Sequence, residues 1–237
     1  MLLVLDTSSR YASVALAEED RVVASRTWHS PVNHTAELMP AVAHLMQSRG
    51  LTTRQLDGVA VALGPGGFSA LRVGVSVAKG VALAAKKPMV GVGTLDLEAY
   101  PYQKTGVPVC ALLEAGRQEC ATALYGPDGI RLREDRVCTA GELLAELIDK
   151  VSGPAIFCGE GVSCWRDAIA GALGAKAQIV WPVPAARVWA LAAIAQEKLL
   201  SGETSDITTL QPEYLRMPSI GAPKQRGRLA QTGRRGR

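Results

Sequence analysis

The chain has 237 residues, of which 48% are hydrophobic and 20% are charged. This composition is typical of a globular protein with a substantial core, and it excludes wholesale disorder, a coiled coil and a collagen-like fibre. The formal net charge of +4 is uneven, because the last 21 residues hold six basic residues and no acidic one. The rest of the chain is slightly acidic, so its charge does not indicate a nucleic-acid-binding body.

The first hundred residues predict one α/β unit. Short apolar runs bounded by polar or glycine-rich turns indicate strands, and apolar residues recurring every three or four positions indicate helices. Asn33 and Ser69 are expected to cap the two helices, and Gly64-Pro65-Gly66-Gly67 separates the fourth strand from the second helix. The predicted strands are residues 2–5, 11–17, 22–28, 58–63 and 89–92, and the predicted helices are residues 34–49 and 70–85.

A weaker version of the same order follows after about residue 105. Strands are predicted at residues 107–113, 120–125, 130–137, 155–158 and 178–181, and helices at 140–150, 162–173 and 185–200. Thr139 is expected to cap the first of these helices. Two α/β lobes of related design are therefore expected. The first lobe would comprise residues 1–103 and the smaller second lobe residues 104–216, whose C-terminal part could pack back on the first. Residues 217–237 are rich in Pro, Gly, Arg and Gln and predict a flexible basic tail.

The apolar start of the chain lacks a basic segment, so no signal peptide is expected. The most hydrophobic stretch, residues 73–85, is interrupted by Lys79 and predicts no membrane span. Five cysteines without a CxxC pair indicate buried thiols in a reducing compartment. We therefore expect a cytoplasmic protein.

Two turns could contact a phosphate group. The glycine loop precedes a helix, where close backbone approach and free N–H groups favour an anion, but any tight strand-to-helix turn shares these features. The turn after the first strand offers a carboxylate and hydroxyls, although a simple capped turn is the alternative. The candidate contacts are Asp6, Thr7, Ser8, Gly64, Gly66 and Gly67.

No metal or nucleophile motif is present. A helical metal pair starting at His34 would need a second ligand four residues later, and position 38 is leucine. Serines are plentiful, but no GxSxG motif or Ser/His pairing is found. We therefore predict no catalytic residue and no metal ligand.

The first two predicted helices each carry a notable stripe. The first has one apolar stripe formed by Leu38, Met39, Val42, Leu45 and Met46. The second is too apolar for a surface helix, yet Arg72, Ser76 and Lys79 share one of its faces. Such a polar stripe on an apolar helix indicates a subunit interface or an anion contact, with a solvated edge as the alternative.

Several segments together resemble one family. They are LVLDTS at 3–8, NHTAELMP at 33–40, LGPGGFSALRVG at 63–74, AKG at 78–80, VGV at 90–92 and QPEYLR at 211–216. In this order they resemble the TsaB (YeaZ) family of bacterial tRNA threonylcarbamoyladenosine biosynthesis proteins. The resemblance is dense over residues 1–95, thinner to about residue 216 and absent from the tail.

The resemblance implies the actin-like/sugar-kinase/Hsp70 fold, with a ribonuclease-H-like mixed sheet and flanking helices in each of two lobes. It implies a non-catalytic relative of TsaD, the subunit that transfers a threonylcarbamoyl group to the adenosine next to the anticodon of tRNAs reading ANN codons. TsaD binds its metal through a helical histidine pair, of which only His34 remains here. The family usually has Asp-Ala-Arg after the first strand of the second lobe, whereas this chain has Glu114-Ala115-Gly116-Arg117.

The resemblance also implies partners. A TsaD-type subunit would bind the two helices of the first lobe, a TsaE-type ATPase would join the complex, and the lone chain could form a homodimer. Contact with tRNA would come through the complex, and ATP or ADP could lie at its interface, although this subunit would require no cofactor. We hypothesise a four-helix seam with the partner. It would use Leu38, Met39, Val42, Leu45, Met46, Leu71, Arg72, Val75, Ala78 and Lys79.

Three alternatives remain at this point. An ATP-dependent small-molecule kinase or ATPase of the same fold would need a second phosphate-binding loop. The candidate segment, Gly159-Glu160-Gly161, is short and is a weak match to such a loop. A peptidase would need a nucleophile or a ligand set that is not evident. A tRNA-binding module would depend on the basic tail alone, which could equally be a solubilising extension.

Overall fold

A computed structural model describes residues 1–19, 21–31, 33–116, 118–150 and 152–216. The predicted basic tail, residues 217–237, lies outside the described residues, as does Arg117 of the turn noted above. The described chain forms two five-stranded mixed sheets of matching topology.

The first sheet has the order β3-β2-β1-β4-β5. β1 pairs antiparallel with β2 and parallel with β4, so Leu5 lies between Val14 and Val61. β4 is buried along its whole length, which explains its continuous run of Val and Ala. The strands are β1 (Leu2–Asp6), β2 (Tyr11–Glu18), β3 (Arg21–His29), β4 (Gly58–Gly64) and β5 (Met89–Gly93), and the helices are α1 (His34–Ser48), α2 (Phe68–Ala85) and α3 (Thr94–Ala99).

The second sheet repeats this arrangement in the order β10-β9-β6-β7-β8. β6 pairs antiparallel with β7 and parallel with β9, as β1 does with β2 and β4. The strands are β6 (Val109–Glu114), β7 (Glu119–Tyr125), β8 (Arg131–Thr139), β9 (Ala155–Cys158) and β10 (Ala177–Ile179), and the helices are α4 (Ala140–Lys150), α5 (Val162–Leu173) and α6 (Pro184–Leu200). The predicted fold class of two lobes with mixed sheets and flanking helices is confirmed.

The first sheet is covered on both faces. On one face, α1 and α2 pack with residues such as Leu38 and Val75 against Leu5 and Val61. On the other face, α6 packs through Val188, among other residues. α6 follows the second lobe in the chain but contributes to the core of the first, because its apolar stripe covers the sheet face that α1 and α2 leave open.

Helix α3 was not predicted. It has only six residues, too few for a helical repeat to be visible in the sequence. Its two leucines belong to different cores: Leu97 packs with the first lobe and α6, whereas Leu95 packs with the second lobe. α3 therefore connects the two lobes through both of their cores.

The predicted helix caps had mixed outcomes. Thr139 forms a capping box with Glu142, because its Oγ1 accepts from the Glu142 N–H at 3.2 Å and its own N–H donates to the Glu142 carboxylate at 2.8 Å. Asn33 stands at the start of α1 but makes no side-chain capping hydrogen bond. The Ser69 cap was wrong, because α2 begins at Phe68 with Gly67 at the capping position.

Among the described residues, one helix has the length and apolar composition of a membrane span, and it is α2. Core helices can pass the same test. Here Leu71, Val75 and Ala78 are buried, and α2 packs against α1 and β4 in the first lobe.

Candidate functional site

A cleft of about 810 Å³ opens at the junction of the two lobes. The first lobe lines it with the start of α1, the glycine loop before α2 and the turn after β1. The second lobe contributes the loop after β6 and Glu160, and residues 213–216 close one side. The cleft brings together several of the segments that the sequence singled out for phosphate contact.

Asp6, at the end of β1, is fully buried. One carboxylate oxygen accepts hydrogen bonds from Ser8, at 2.8 Å from its N–H and 2.6 Å from its hydroxyl. The other oxygen accepts from Nε of Arg187 at 2.8 Å. The hydroxyl of Thr7 is also engaged, because it donates to the carbonyl of Ala70 at 2.7 Å. The arrangement favours the capped turn, because these polar groups already have partners within the protein.

Arg187 is the centre of a buried charge cluster that the sequence did not predict. Its side chain is 1% exposed. Besides Asp6, it donates to Glu98 at 3.0 Å, to Glu160 at 2.7 Å and to the hydroxyl of Ser9 at 2.6 Å. Three carboxylates therefore surround one guanidinium.

The electrostatics of this cluster follow from its burial. Burial raises the pKa of Glu98, against the opposing effect of the neighbouring Arg187 guanidinium. Burial alone would lower the pKa of Arg187, but the carboxylates of Asp6, Glu98 and Glu160 raise it overall. Arg187 is thus held as a cation, and its rigid fork of donors suits several carboxylates at once.

The glycine loop is shaped by contacts with its neighbours. A Cβ on Gly66 would collide with the carbonyl oxygen of Ser8, and a Cβ on Gly64 would lie 2.5 Å from the carbonyl oxygen of Glu213. Gly64 also has φ +122°, which favours glycine. Gly67 donates its N–H to the Ser8 carbonyl at 3.3 Å. Close packing within the protein therefore accounts for Gly64 and Gly66, while Gly66 and Gly67 line the cleft.

We expect Gly66→Ala to destabilise the protein by about 1 to 3 kcal/mol, because its methyl group would overlap backbone that cannot move freely. Gly67→Ala is the matched control, since the nearest described atom to a Cβ there would be the Cβ of Ala70 at an ordinary 3.6 Å. Urea denaturation followed by circular dichroism measures both. Equal stability of the two variants would contradict the packing account of Gly66.

His34 begins α1 and lines the cleft, but the residue is only 7% exposed, and its Nε2 has no hydrogen-bond partner among the described residues. Leu38, one turn further on, packs in the core. No group of three or more His, Cys, Asp or Glu side chains that could hold a metal ion occurs in the part of the chain that the structure describes.

The predicted partner-binding residues fall into two groups. Most of the apolar ones face the protein's own core, which corrects the expectation that the α1 stripe is open to a partner; they are Leu38, Val42, Leu45, Met46, Leu71, Val75 and Ala78. The stripe is buried because it covers the first sheet. Met39 lies outside this group and is 45% exposed.

The polar stripe of α2 contacts the C-terminal segment, residues 203–216. Arg72 donates to the hydroxyl of Tyr214 at 3.2 Å, and Lys79 donates to the carbonyl of Thr208 at 3.4 Å. The centroid of the Tyr214 ring lies 4.7 Å from the centroid of the Phe68 ring. The two cations predicted at an interface therefore have partners within the chain.

Four of the five predicted buried thiols are confirmed, and one is wrong because Cys164 is exposed. Burial raises the pKa of Cys110 to about 11 and that of Cys120 to about 12. These two thiols are therefore protonated at neutral pH and poorly nucleophilic.

Comparisons with known proteins agree with this architecture. A family model described as "TsaD: tRNA N6-adenosine threonylcarbamoyltransferase" matches residues 25–220. The tRNA threonylcarbamoyladenosine biosynthesis protein TsaB of Bacillus subtilis is 30% identical over 225 residues, covering 93% of this chain and 96% of the relative. TsaB of Escherichia coli is 29% identical, covering 91% and 94%. The solved structure of YeaZ from Pseudomonas aeruginosa has a TM-score of 0.69 at 23% identity, covering 90% of this chain and 99% of its own.

Two repeated mixed sheets around a central cleft define the actin-like/sugar-kinase/Hsp70 class of folds. Within this class the sequence matches are specific, because they extend over nearly the full length of both chains. The chain belongs to the TsaB (YeaZ) family of tRNA threonylcarbamoyladenosine biosynthesis proteins.

Proposed function

We propose that the chain is a non-catalytic cytoplasmic subunit that binds and supports a TsaD-type catalytic subunit. The complex would threonylcarbamoylate the adenosine next to the anticodon of tRNAs reading ANN codons. The proposal that this subunit is non-catalytic is supported by Asp6, because both of its carboxylate oxygens already accept hydrogen bonds, one from Ser8 and the other from Arg187. A carboxylate that is buried and already paired has little capacity left to act on a substrate.

The proposed partner surface is the outer side of α1 and α2, away from the first sheet. Met39 and Ala43 are exposed on α1, and Leu83 is 60% exposed on α2. Among the described residues, a Cβ on Gly80 of α2 would meet nothing outside its own helix within 4 Å, so a partner helix could approach the backbone closely there. This surface replaces the buried stripe in the seam hypothesis, and the lone chain could pair through it as a homodimer.

We expect Gly80→Arg to abolish binding of a TsaD-type partner while leaving the chain folded. Arginine in place of glycine within a helix stabilises it by up to about 1 kcal/mol, yet here it would place a long charged side chain on the proposed surface. The measurement is size-exclusion chromatography with the cognate catalytic subunit, combined with thermal unfolding of each variant.

Gly171→Arg is the matched control, because Gly171 is also exposed, lies within α5 and has open space at its Cβ position. Full complex formation by this control and none by Gly80→Arg would support the proposed surface. An undiminished complex with Gly80→Arg would exclude it.

The further members of the complex are proposed on the family resemblance. A TsaE-type ATPase would join the two subunits, and tRNA would be bound through the complex. ATP or ADP would lie at the interface between subunits and not at Asp6, which Arg187 already neutralises. For the same reason we do not propose a small-molecule kinase or ATPase.

A further inference from the structure

The motif Gly159-Glu160-Gly161 forms a tightly packed loop between β9 and α5. Gly159 has φ +93°, a conformation that favours glycine. Gly161 donates its N–H to the carbonyl of Leu112 on β6 at 2.9 Å, and a Cβ on Gly161 would lie 2.9 Å from the carbonyl carbon of the same residue. The two glycines therefore let the loop lie directly on the backbone of β6, which fixes the position of Glu160 between them.

Glu160 contributes a carboxylate from the second lobe to the Arg187 cluster. Asp6 lies in the first lobe, Glu98 lies on the connecting helix α3, and Arg187 itself lies on α6, which packs on the first sheet. One guanidinium thus joins carboxylates from three parts of the fold. Ser9 and Glu160, two of its partners, also line the cleft.

The buried carboxylates of this cluster need a cation close to them. Asp6 and Glu98 are buried, and burying a carboxylate is costly unless a cation lies close by. Arg187, a residue of the chain itself, supplies that cation. Because the guanidinium is planar and carries five donors, it constrains the direction from which each carboxylate can approach.

We propose that Arg187, Asp6, Glu98 and Glu160 form an interlobe latch, in which an internal guanidinium sets the opening of the cleft. In this latch Glu160 is the residue from the second lobe, and the Gly159-Glu160-Gly161 loop holds it in position. The latch concerns the conformation of the single chain and does not depend on the proposed binding of a catalytic partner.

Glu160→Ala is the variant of choice, because Arg187 keeps Asp6 and Glu98 as partners and the Glu160 side chain is 28% exposed. Folding should therefore be preserved, which circular dichroism checks. Asp167→Ala is the matched control, since it removes an exposed carboxylate from the same lobe. Glu160→Gln retains the size and one acceptor oxygen but loses the charge.

The measurement is the distance between spin labels on the two lobes by pulsed electron paramagnetic resonance. Labels would be attached through Gln47→Cys on α1 and Ala172→Cys on α5, both exposed positions, in a Cys164→Ser background whose remaining cysteines are buried. We expect a single narrow distance distribution without a further substitution and with Asp167→Ala. With Glu160→Ala we expect a broadened distribution whose mean moves by more than about 2 Å, the scale of ordinary domain rearrangements.

An intermediate width for Glu160→Gln would further support a latch based on charge. An unchanged distribution in folded Glu160→Ala would overturn the proposal, because the contact between Glu160 and Arg187 would then not determine the relative position of the lobes. Equal broadening by Asp167→Ala would overturn it as well, since the effect would not depend on Arg187.

Discussion

Replacing Arg187 with alanine is expected to lower the free energy of unfolding by about 3 to 5 kcal/mol, the usual cost of removing one partner from a buried ion pair. The carboxylates of Asp6 and Glu98 would remain buried without their cation. Chemical denaturation monitored by circular dichroism measures the loss as a lower midpoint.

Arg166→Ala is the control for the loss of an arginine. Arg166 is exposed and lies over the ring of Trp181 with its guanidinium carbon 5.6 Å from the ring centroid. An exposed contact of this kind contributes at most about 1 kcal/mol. A loss of under 1 kcal/mol for Arg187→Ala would mean that the buried cluster contributes no more than this surface contact.

Val42→Glu is expected to lower the free energy of unfolding by more than about 4 kcal/mol, which is most of the stability of a protein at the lower end of the usual range of about 5 to 15 kcal/mol. Val42 is buried between α1 and the first sheet, and a carboxylate there would lie among apolar side chains that cannot compensate its burial. Thermal unfolding and the yield of soluble monomer measure this effect.

The adjacent substitution Ala43→Glu is the control, because Ala43 is exposed on the same helix. A surface substitution of this type changes stability by about 0.5 kcal/mol or less. Normal stability of Val42→Glu would show that the α1 stripe is not in the core. Loss of partner binding in Val42→Glu could reflect unfolding, so Gly80→Arg is the better probe of the partner surface.

Local sequence patterns were sufficient to predict most of the helices and strands. The boundaries of α5 at 162–173 agree with the prediction, as do those of β9 at 155–158. α5 has an apolar repeat and β9 is a continuous apolar run, and each is bounded by glycine or proline. Such patterns can be recognised from a few neighbouring residues. The short helix α3 carries no such repeat, because it is held by contacts with two cores that lie far away in the sequence.

The stripe on α1 shows where periodicity stops being informative. The repeat of Leu38, Val42 and Leu45 establishes that one face of the helix must be buried. It does not distinguish burial against the protein's own sheet from burial against a partner, because both remove the same apolar area from water. In the structure this stripe covers the first sheet, whereas Met39 and Ala43 on the outer side of the helix are exposed.

The charge cluster could not be predicted from spacing, since Asp6 and Arg187 are 181 residues apart in the chain. One signal was nevertheless present. Arg187 stands in line with Ala190 and Leu191 on the apolar face of α6, and an arginine on such a face requires a buried anion as partner. The identity of that anion depended on the tertiary structure alone.

The sequence by itself determined the two α/β lobes, the family and the lack of a metal motif, because these depend on local periodicity and on motifs in a given order. Only the tertiary structure decided that Asp6 is neutralised by Arg187, that Glu160 reaches the same guanidinium from the other lobe, and that α6 completes the first core. The physical reason is that burial and ion pairing are set by distances in space, which sequence separation does not determine.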